Sequence, residues 1–104
     1  MLEISTAKVV RVIALIREHG PEHPHLHEYI AAMNDDEKVN LVALMWVGRE
    51  SFDASQLEKA KIEAALEATA PTEDYLSGIP NLAEYLEDGL DALGIDVADA
   101  EGQL

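Results

Sequence analysis

Residues 34–47, NDDEKVNLVALMWV, are the most informative segment of this chain. The segment begins with Asn34, and Glu37 follows three residues later, which is the spacing of a capping box at a helix N-terminus. From Val39 onward it is apolar on most sides of a helix, and such a helix is stable only when neighbouring elements surround it. The sequence therefore predicts a central helix over residues 35–49 with other helices packed around it.

Amphipathic patterns on both sides of this segment predict the helices that cover it. Apolar residues recur at helical spacing from Val9 to Ile16, and again from Leu82 to Leu93. Pro80 is expected at the first position of the last helix. We expect an all-α fold, a compact bundle-like or orthogonal array of about five helices with short connectors. The predicted helices span residues 5–19, 26–33, 35–49, 54–69 and 80–93.

One domain is predicted over residues 1–94, because a chain of 104 residues has the usual size of a single domain. Residues 20–25 contain two prolines and are expected to form a connector. Residues 72–76 are expected to form one helical turn. Residues 95–104 contain three acids and few large apolar groups, so we expect this C-terminal tail to fray.

The chain is strongly acidic. It has 21 Asp and Glu residues against 7 Lys and Arg residues, a formal net charge of −14 at pH 7. Residues 62–104 hold eleven acidic and no basic side chains. The scattered basic residues form no stripe that could follow a phosphate backbone or an anionic membrane, so we expect no direct binding to nucleic acid or membrane. This charge favours a basic protein partner, or it simply maintains solubility.

Composition and motifs exclude several classes of chemistry. The chain has no cysteine, so it can form no disulfide, thiolate zinc site or iron–sulfur cluster. It contains no glycine-rich phosphate loop, nucleophile elbow or dinucleotide fingerprint. We therefore predict a protein that is not an enzyme and that needs no cofactor. No apolar run is long enough to cross a bilayer, and no secretory signal pattern is present, so we expect a cytoplasmic location.

All four histidines lie within nine positions, beginning at His19. An extended chain would place His23, His25 and His27 on one side, whereas a helix would place only His23 and His27 on one face. Three imidazoles suit zinc or another borderline divalent metal. However, Pro24 interrupts the group, and the spacing matches no established metal motif. A solvated loop is the favoured interpretation, and a divalent-metal site at His23, His25 and His27 is the alternative.

Two glycine-containing corners are candidate contact surfaces. The first runs from Trp46 to Phe52, and the second runs from Tyr75 to Tyr85. An aromatic residue beside an arginine is typical of an interaction hot spot. The same residues could instead form structural corners that turn one helix into the next. We predict a contact role, and we expect the protein to self-associate, most simply as a homodimer. The candidate contact residues are Trp46, Arg49, Phe52, Tyr75, Pro80 and Tyr85.

Two segments carry distinctive motifs: residues 44–53, LMWVGRESFD, and residues 74–90, DYLSGIPNLAEYLEDGL. Written as patterns, these are Trp-x-Gly-Arg-x-x-Phe and Tyr-Leu-x-Gly-x-Pro-x-Leu-x-x-Tyr-Leu-Glu-x-Gly-Leu. They resemble the signature of a small, mainly alphaproteobacterial family classified as a domain of unknown function, over roughly residues 2–94. The resemblance implies a single-domain, acidic, cytosolic protein, and it implies no activity and no catalytic residue.

The sequence as a whole therefore predicts a non-enzymatic protein-protein interaction or regulatory module. One alternative is a divalent-metal-binding protein that uses the histidine loop. A second alternative is an acidic mimic of nucleic acid that occupies a basic nucleic-acid-binding protein.

Overall fold

The structure, a computed structural model, describes residues 1–67 and 70–95. These residues form six α-helices and no strand, which confirms the predicted all-α fold. A short 3₁₀ turn, Ala54–Gln56, leads into the fourth helix. The helices are α1 (Thr6–His19), α2 (Pro24–Ala31), α3 (Asp35–Gly48), α4 (Leu57–Leu66), α5 (Thr72–Ser77) and α6 (Leu82–Ala92).

Helix α3 lies at the centre of the fold, with residues 40–48 all buried. Helices α6 and α4 pack along it, α1 packs on α6 and α2, and α2 packs on α5. The predicted capping box is present. The Asn34 side chain accepts a hydrogen bond from the Glu37 N–H at 2.8 Å, and the Glu37 carboxylate accepts one from the Asn34 N–H at 3.1 Å. The central helix therefore begins where the sequence predicts, because its start signal is local.

Helices α3 and α6 cross so closely that neither has room for a side chain at the crossing. A β-carbon on Gly48 would lie 1.6 Å from the Tyr85 carbonyl oxygen. A β-carbon on Gly89 would lie 2.5 Å from the Leu44 carbonyl oxygen. Both glycines belong to the motif segments identified in the sequence, so at these two positions the motifs serve helix packing.

The start of α2 differs from its prediction. The helix begins at Pro24 instead of residue 26, so the predicted connector over residues 20–25 is shorter than expected. Pro24 occupies the first turn, where its missing N–H costs nothing. His23 caps the helix, and its Nδ1 accepts a hydrogen bond from the His25 N–H at 3.1 Å. Pro24 therefore starts α2, and the prediction that residues 24 and 25 belong to the connector is wrong.

The C-terminal helices also differ in detail. Pro80 is not the first residue of the last helix, as predicted, because Asn81 adopts a left-handed φ of 61° before α6 begins at Leu82. The predicted single turn after Pro71 is the six-residue helix α5, which brings the number of helices to six. Predicted positions 68–69 of the fourth helix and residues 96–104 of the predicted frayed tail lie outside the described residues. None of the described helices has the length and apolar character needed to cross a bilayer.

Candidate interaction site

Trp46 lies near the C-terminal end of α3 and is only 7% exposed. Its indole stacks on the ring of Phe52, with the two ring centroids 5.8 Å apart and the planes inclined by 22°. The chain reverses after α3, where the Ser51 N–H donates to the Trp46 carbonyl at 2.9 Å. The Trp46 Nε1–H donates a hydrogen bond to the Tyr75 hydroxyl at 3.1 Å. The structure thus brings together Trp46, Phe52 and Tyr75 from the two predicted corners.

A cleft of about 170 Å³ opens beside this aromatic cluster, between α3, the end of α4 and the start of α5. Most of its lining side chains are apolar. Tyr75 is 37% exposed at its edge, whereas Trp46 is buried in its wall. We call it the Trp46–Tyr75 cleft, and it is lined by Val39, Val42, Trp46, Ala64, Glu67, Ala70, Thr72 and Tyr75.

Acidic side chains accompany the cleft. Glu67 forms part of its wall, is exposed, and makes no ion pair with any described residue. Glu73 follows Thr72 at the start of α5, and its Oε1 lies 4.0 Å from Lys38 Nζ. Within the described part of the chain, this buried oxygen has no hydrogen-bond partner. Glu67 therefore gives one wall of a largely apolar cleft a negative charge that no described residue pairs with.

The other three predicted contact residues lie outside the cleft. Arg49 is exposed, and its Nε–H donates to Ser51 Oγ at 3.2 Å. Pro80 is exposed between α5 and α6. Tyr85 is half-buried in α6 and packs against the hydrophobic core. The six candidates thus divide into one cluster of three and three separate residues.

The histidines divide between two places. The rings of His19, His23 and His25 lie against one another where α1 ends and α2 begins, with centroids 4.5 to 5.3 Å apart. His27 turns to α5, where its Nε2 lies 2.6 Å from Asp74 Oδ1. His23, His25 and His27 therefore do not converge on one point. Among the described residues, no group of three or more His, Asp or Glu side chains is arranged to hold a metal ion.

The histidine cluster changes the acidity of one of its members. Burial against its neighbours is the largest effect on His23, and the nearby His19 and His25 add to it, so the pKa of His23 lies below its usual value of 6.5. Both effects act in the same direction, because a protonated ring would be less well hydrated there and would repel two other imidazoles.

Two exposed apolar residues on α4 are not among the predicted contact residues. Ile62 is 62% exposed and Leu66 is 79% exposed. The signal that could have found them is their spacing, because Ile62 and Leu66 fall on the side of α4 opposite to the buried positions Ala60 and Ala64.

Comparison with known proteins gives a family. Residues 23–95 match the family described as "Protein of unknown function (DUF3775)". The match includes α2 to α6 and the whole Trp46–Tyr75 cleft, whereas α1 lies before it. The expected relationship to a domain of unknown function is confirmed. The comparison with curated proteins and the comparison with solved structures each found no match. Since the match covers well over half of the sequence, the chain belongs to the DUF3775 family.

Proposed function

We propose that this protein is a non-enzymatic interaction module that binds a partner protein at the Trp46–Tyr75 cleft. The observation that supports this proposal is an open, largely apolar cleft whose Trp46 and Tyr75 are hydrogen-bonded to each other. Tryptophan and tyrosine in well-packed pockets are enriched among the residues that dominate binding energy at protein interfaces.

The size of the cleft favours a single side chain as its occupant. Its volume of about 170 Å³ is close to the roughly 150 Å³ of an engineered apolar cavity that binds benzene. It is smaller than the roughly 300–1,000 Å³ of typical small-molecule sites. One large apolar side chain of a partner, such as Leu or Phe, therefore fits this space better than a cofactor-sized ligand.

The walls of the cleft are organised before binding. Phe52 and Tyr75 hold the Trp46 indole from two directions, so little side-chain entropy is lost when a partner arrives. Glu67 offers a carboxylate beside the apolar wall, and among residues 1–67 and 70–95 it has no ion-pair partner. The net charge of −14 also attracts cations over a longer range. We therefore expect the partner to present an apolar side chain next to Lys or Arg.

Peptide selection against the intact chain tests this proposal. Trp46 is the sole tryptophan, so its fluorescence reports on occupation of the cleft. We expect selected peptides to share a large apolar residue beside Lys or Arg and to change the Trp46 emission on titration. Ala70→Phe should fill the cleft and weaken binding by about tenfold or more. Ala32→Phe, at an exposed position at the end of α2, is the matched control and should bind as the wild type does.

Two results would reject the proposal. One is a selection that yields no binding peptide. The other is a set of peptides that bind the Ala70→Phe variant as tightly as the wild type, provided that thermal melting shows the variant to be folded.

A further inference from the structure

Helix α5, which carries Tyr75 at the edge of the Trp46–Tyr75 cleft, depends on its neighbours for its position. It has six residues, and only Leu76 among them is buried. A helix this short is not stable by itself in water. It packs mainly against α2 and much less against α3, the helix that carries Trp46. The Tyr75 side of the cleft is therefore held largely from α2, although none of the described lining residues lies on α2.

Two charged side chains of α5 reach neighbouring helices. Asp74 Oδ1 lies 2.6 Å from His27 Nε2 on α2, which is a hydrogen-bond distance. A carboxylate can only accept, so the His27 Nε2–H donates to it. Glu73 Oε1, by contrast, lies 4.0 Å from Lys38 Nζ on α3 and has no hydrogen-bond partner among the described residues. The closer of these two links therefore joins α5 to the helix against which it mainly packs.

The next side chain of α5, that of Tyr75, is tied to a different helix. Its hydroxyl accepts the hydrogen bond from Trp46 Nε1–H at 3.1 Å. Consecutive side chains leave a helix about 100° apart, so the contacts of Asp74 and Tyr75 together fix the rotation of α5 about its axis. A rotation of about 15° would move a side-chain tip, about 5–6 Å from the axis, by roughly 1.5 Å. That displacement is about three times the width of the range, about 2.7–3.2 Å, in which N–H···O hydrogen bonds occur.

We propose that His27 and Asp74 are positioning residues for the cleft, because their contact holds α5 in the rotation that places Tyr75 against Trp46. Its consequence for affinity rests on the binding function proposed above. Neither positioning residue lines the cleft, so both act through Tyr75. Without their contact the edge of the cleft is less well organised before binding, and the partner loses affinity because Tyr75 must then be ordered on binding.

The expected effect on binding is modest because the contact is exposed. The side chains of His27 and Asp74 are 44% and 59% exposed. Contacts between exposed charged groups contribute little to stability, and Leu76 continues to anchor α5 in the core. We therefore expect the fold to survive loss of the contact, and the affinity for a partner peptide to fall about two- to fivefold.

The fluorescence of Trp46, the sole tryptophan, tests the positioning role without any partner. Tyr75→Ala removes the ring and hydroxyl and gives the reference emission spectrum for the lost contact. We expect His27→Ala and Asp74→Ala each to shift the emission towards this reference, and the double variant to shift it no further than either one. In a Tyr75→Ala background, neither substitution should have a further effect. Asp88→Ala removes the same charge from an exposed position on α6 and should leave the wild-type spectrum unchanged.

Titration with the peptides selected against the wild type tests the consequence for binding. At about pH 8 histidine is neutral, so His27→Ala leaves the net charge unchanged and cannot act by reducing the attraction of a cationic peptide. We expect His27→Ala and Asp74→Ala to bind these peptides about two- to fivefold more weakly. Asp88→Ala should bind them as the wild type does.

The two measurements separate this proposal from the proposed function. Wild-type emission from His27→Ala or Asp74→Ala, or a shift that persists in the Tyr75→Ala background, would overturn the positioning role. A shifted emission with unchanged peptide affinity would overturn the consequence for binding. If the selection yields no peptide, the proposed function fails, and the emission spectra still decide whether Asp74 positions Tyr75. Circular dichroism checks that each variant is folded.

Discussion

Replacement of Gly48 by alanine adds one methyl group at the crossing of α3 and α6. The new β-carbon would lie 1.6 Å from the Tyr85 carbonyl oxygen and 2.8 Å from the Gly89 nitrogen. Main-chain atoms cannot rotate away as a side chain can, so the two helices must separate by almost 2 Å to reach an ordinary contact distance of 3.4 Å. That separation disturbs the packing along both helices.

The expected cost follows from two opposing effects. Forcing extra volume into a packed core costs about 1–3 kcal/mol and occasionally more, and a clash with backbone on the facing helix belongs at or above the upper end. Alanine is better than glycine inside a helix by about 1 kcal/mol. We therefore expect Gly48→Ala to lower the free energy of unfolding by at least about 2 kcal/mol, a large part of the roughly 5–10 kcal/mol typical of a small domain.

Urea denaturation followed by circular dichroism measures this loss, with Gly78→Ala as the matched control. Gly78 has a φ of −89°, which alanine adopts without strain, and the nearest atom to its added β-carbon would be 3.7 Å away. The control should change the free energy of unfolding by less than about 0.5 kcal/mol. A Gly48→Ala protein as stable as the wild type would refute the close crossing.

Three further substitutions test other parts of the structure. Because the pKa of His23 is lowered in the folded chain, the folded state should become less stable as the pH falls below 6.5. His23→Asn keeps a capping side chain and should make the melting temperature depend less on pH between about pH 5 and 7. A variant whose melting temperature changes with pH as steeply as that of the wild type would contradict this. Hydrogen bonds from Lys8 and from the Asn34 N–H lower the pKa of Glu37 below its usual value of 4.5. The stability that the Glu37 carboxylate contributes is therefore complete above pH 4.5, and it is lost as the pH falls through the lower pKa of the folded protein. Glu37→Gln should therefore destabilise the protein at pH 7 and make its melting temperature fall less at acid pH. If the melting temperatures of variant and wild type fall equally at acid pH, the Lys8–Glu37 ion pair does not stabilise the fold. Trp46→Ala should cost about 3–5 kcal/mol in urea denaturation because the side chain is buried; a loss below about 1 kcal/mol would place Trp46 outside the core.

The parts of the fold that depend on local signals were predictable. The capping box at Asn34 and the apolar repeat from Leu82 to Leu93 each define a helix within one segment of sequence. Pro24 was not predictable in the same way, because a proline both interrupts a helix and begins one. The choice depends on whether the preceding residue caps the helix, as His23 does here.

The candidate site required information that no single segment contains. Trp46 and Tyr75 were both candidate contact residues, but they were assigned to separate corners. Their contact depends on how α5 packs against α3, which local periodicity does not describe. Ile62 and Leu66 were missed for a different reason. Ala60 and Ala64 account for the buried side of α4, and only the packed structure shows that Ile62 and Leu66 on the opposite side stay exposed.

The crossing of α3 and α6 also limits how sequences with this fold can diverge. Each of its two glycines faces a carbonyl oxygen of the opposing helix, and at Gly48 all three nearest atoms belong to the main chain. A larger residue at Gly48 therefore cannot be accommodated by a smaller residue elsewhere, since there is nothing left to trim. A relative that lacks either glycine must space this helix pair differently. An alignment of family members would identify such a relative by the residues at the positions of Gly48 and Gly89.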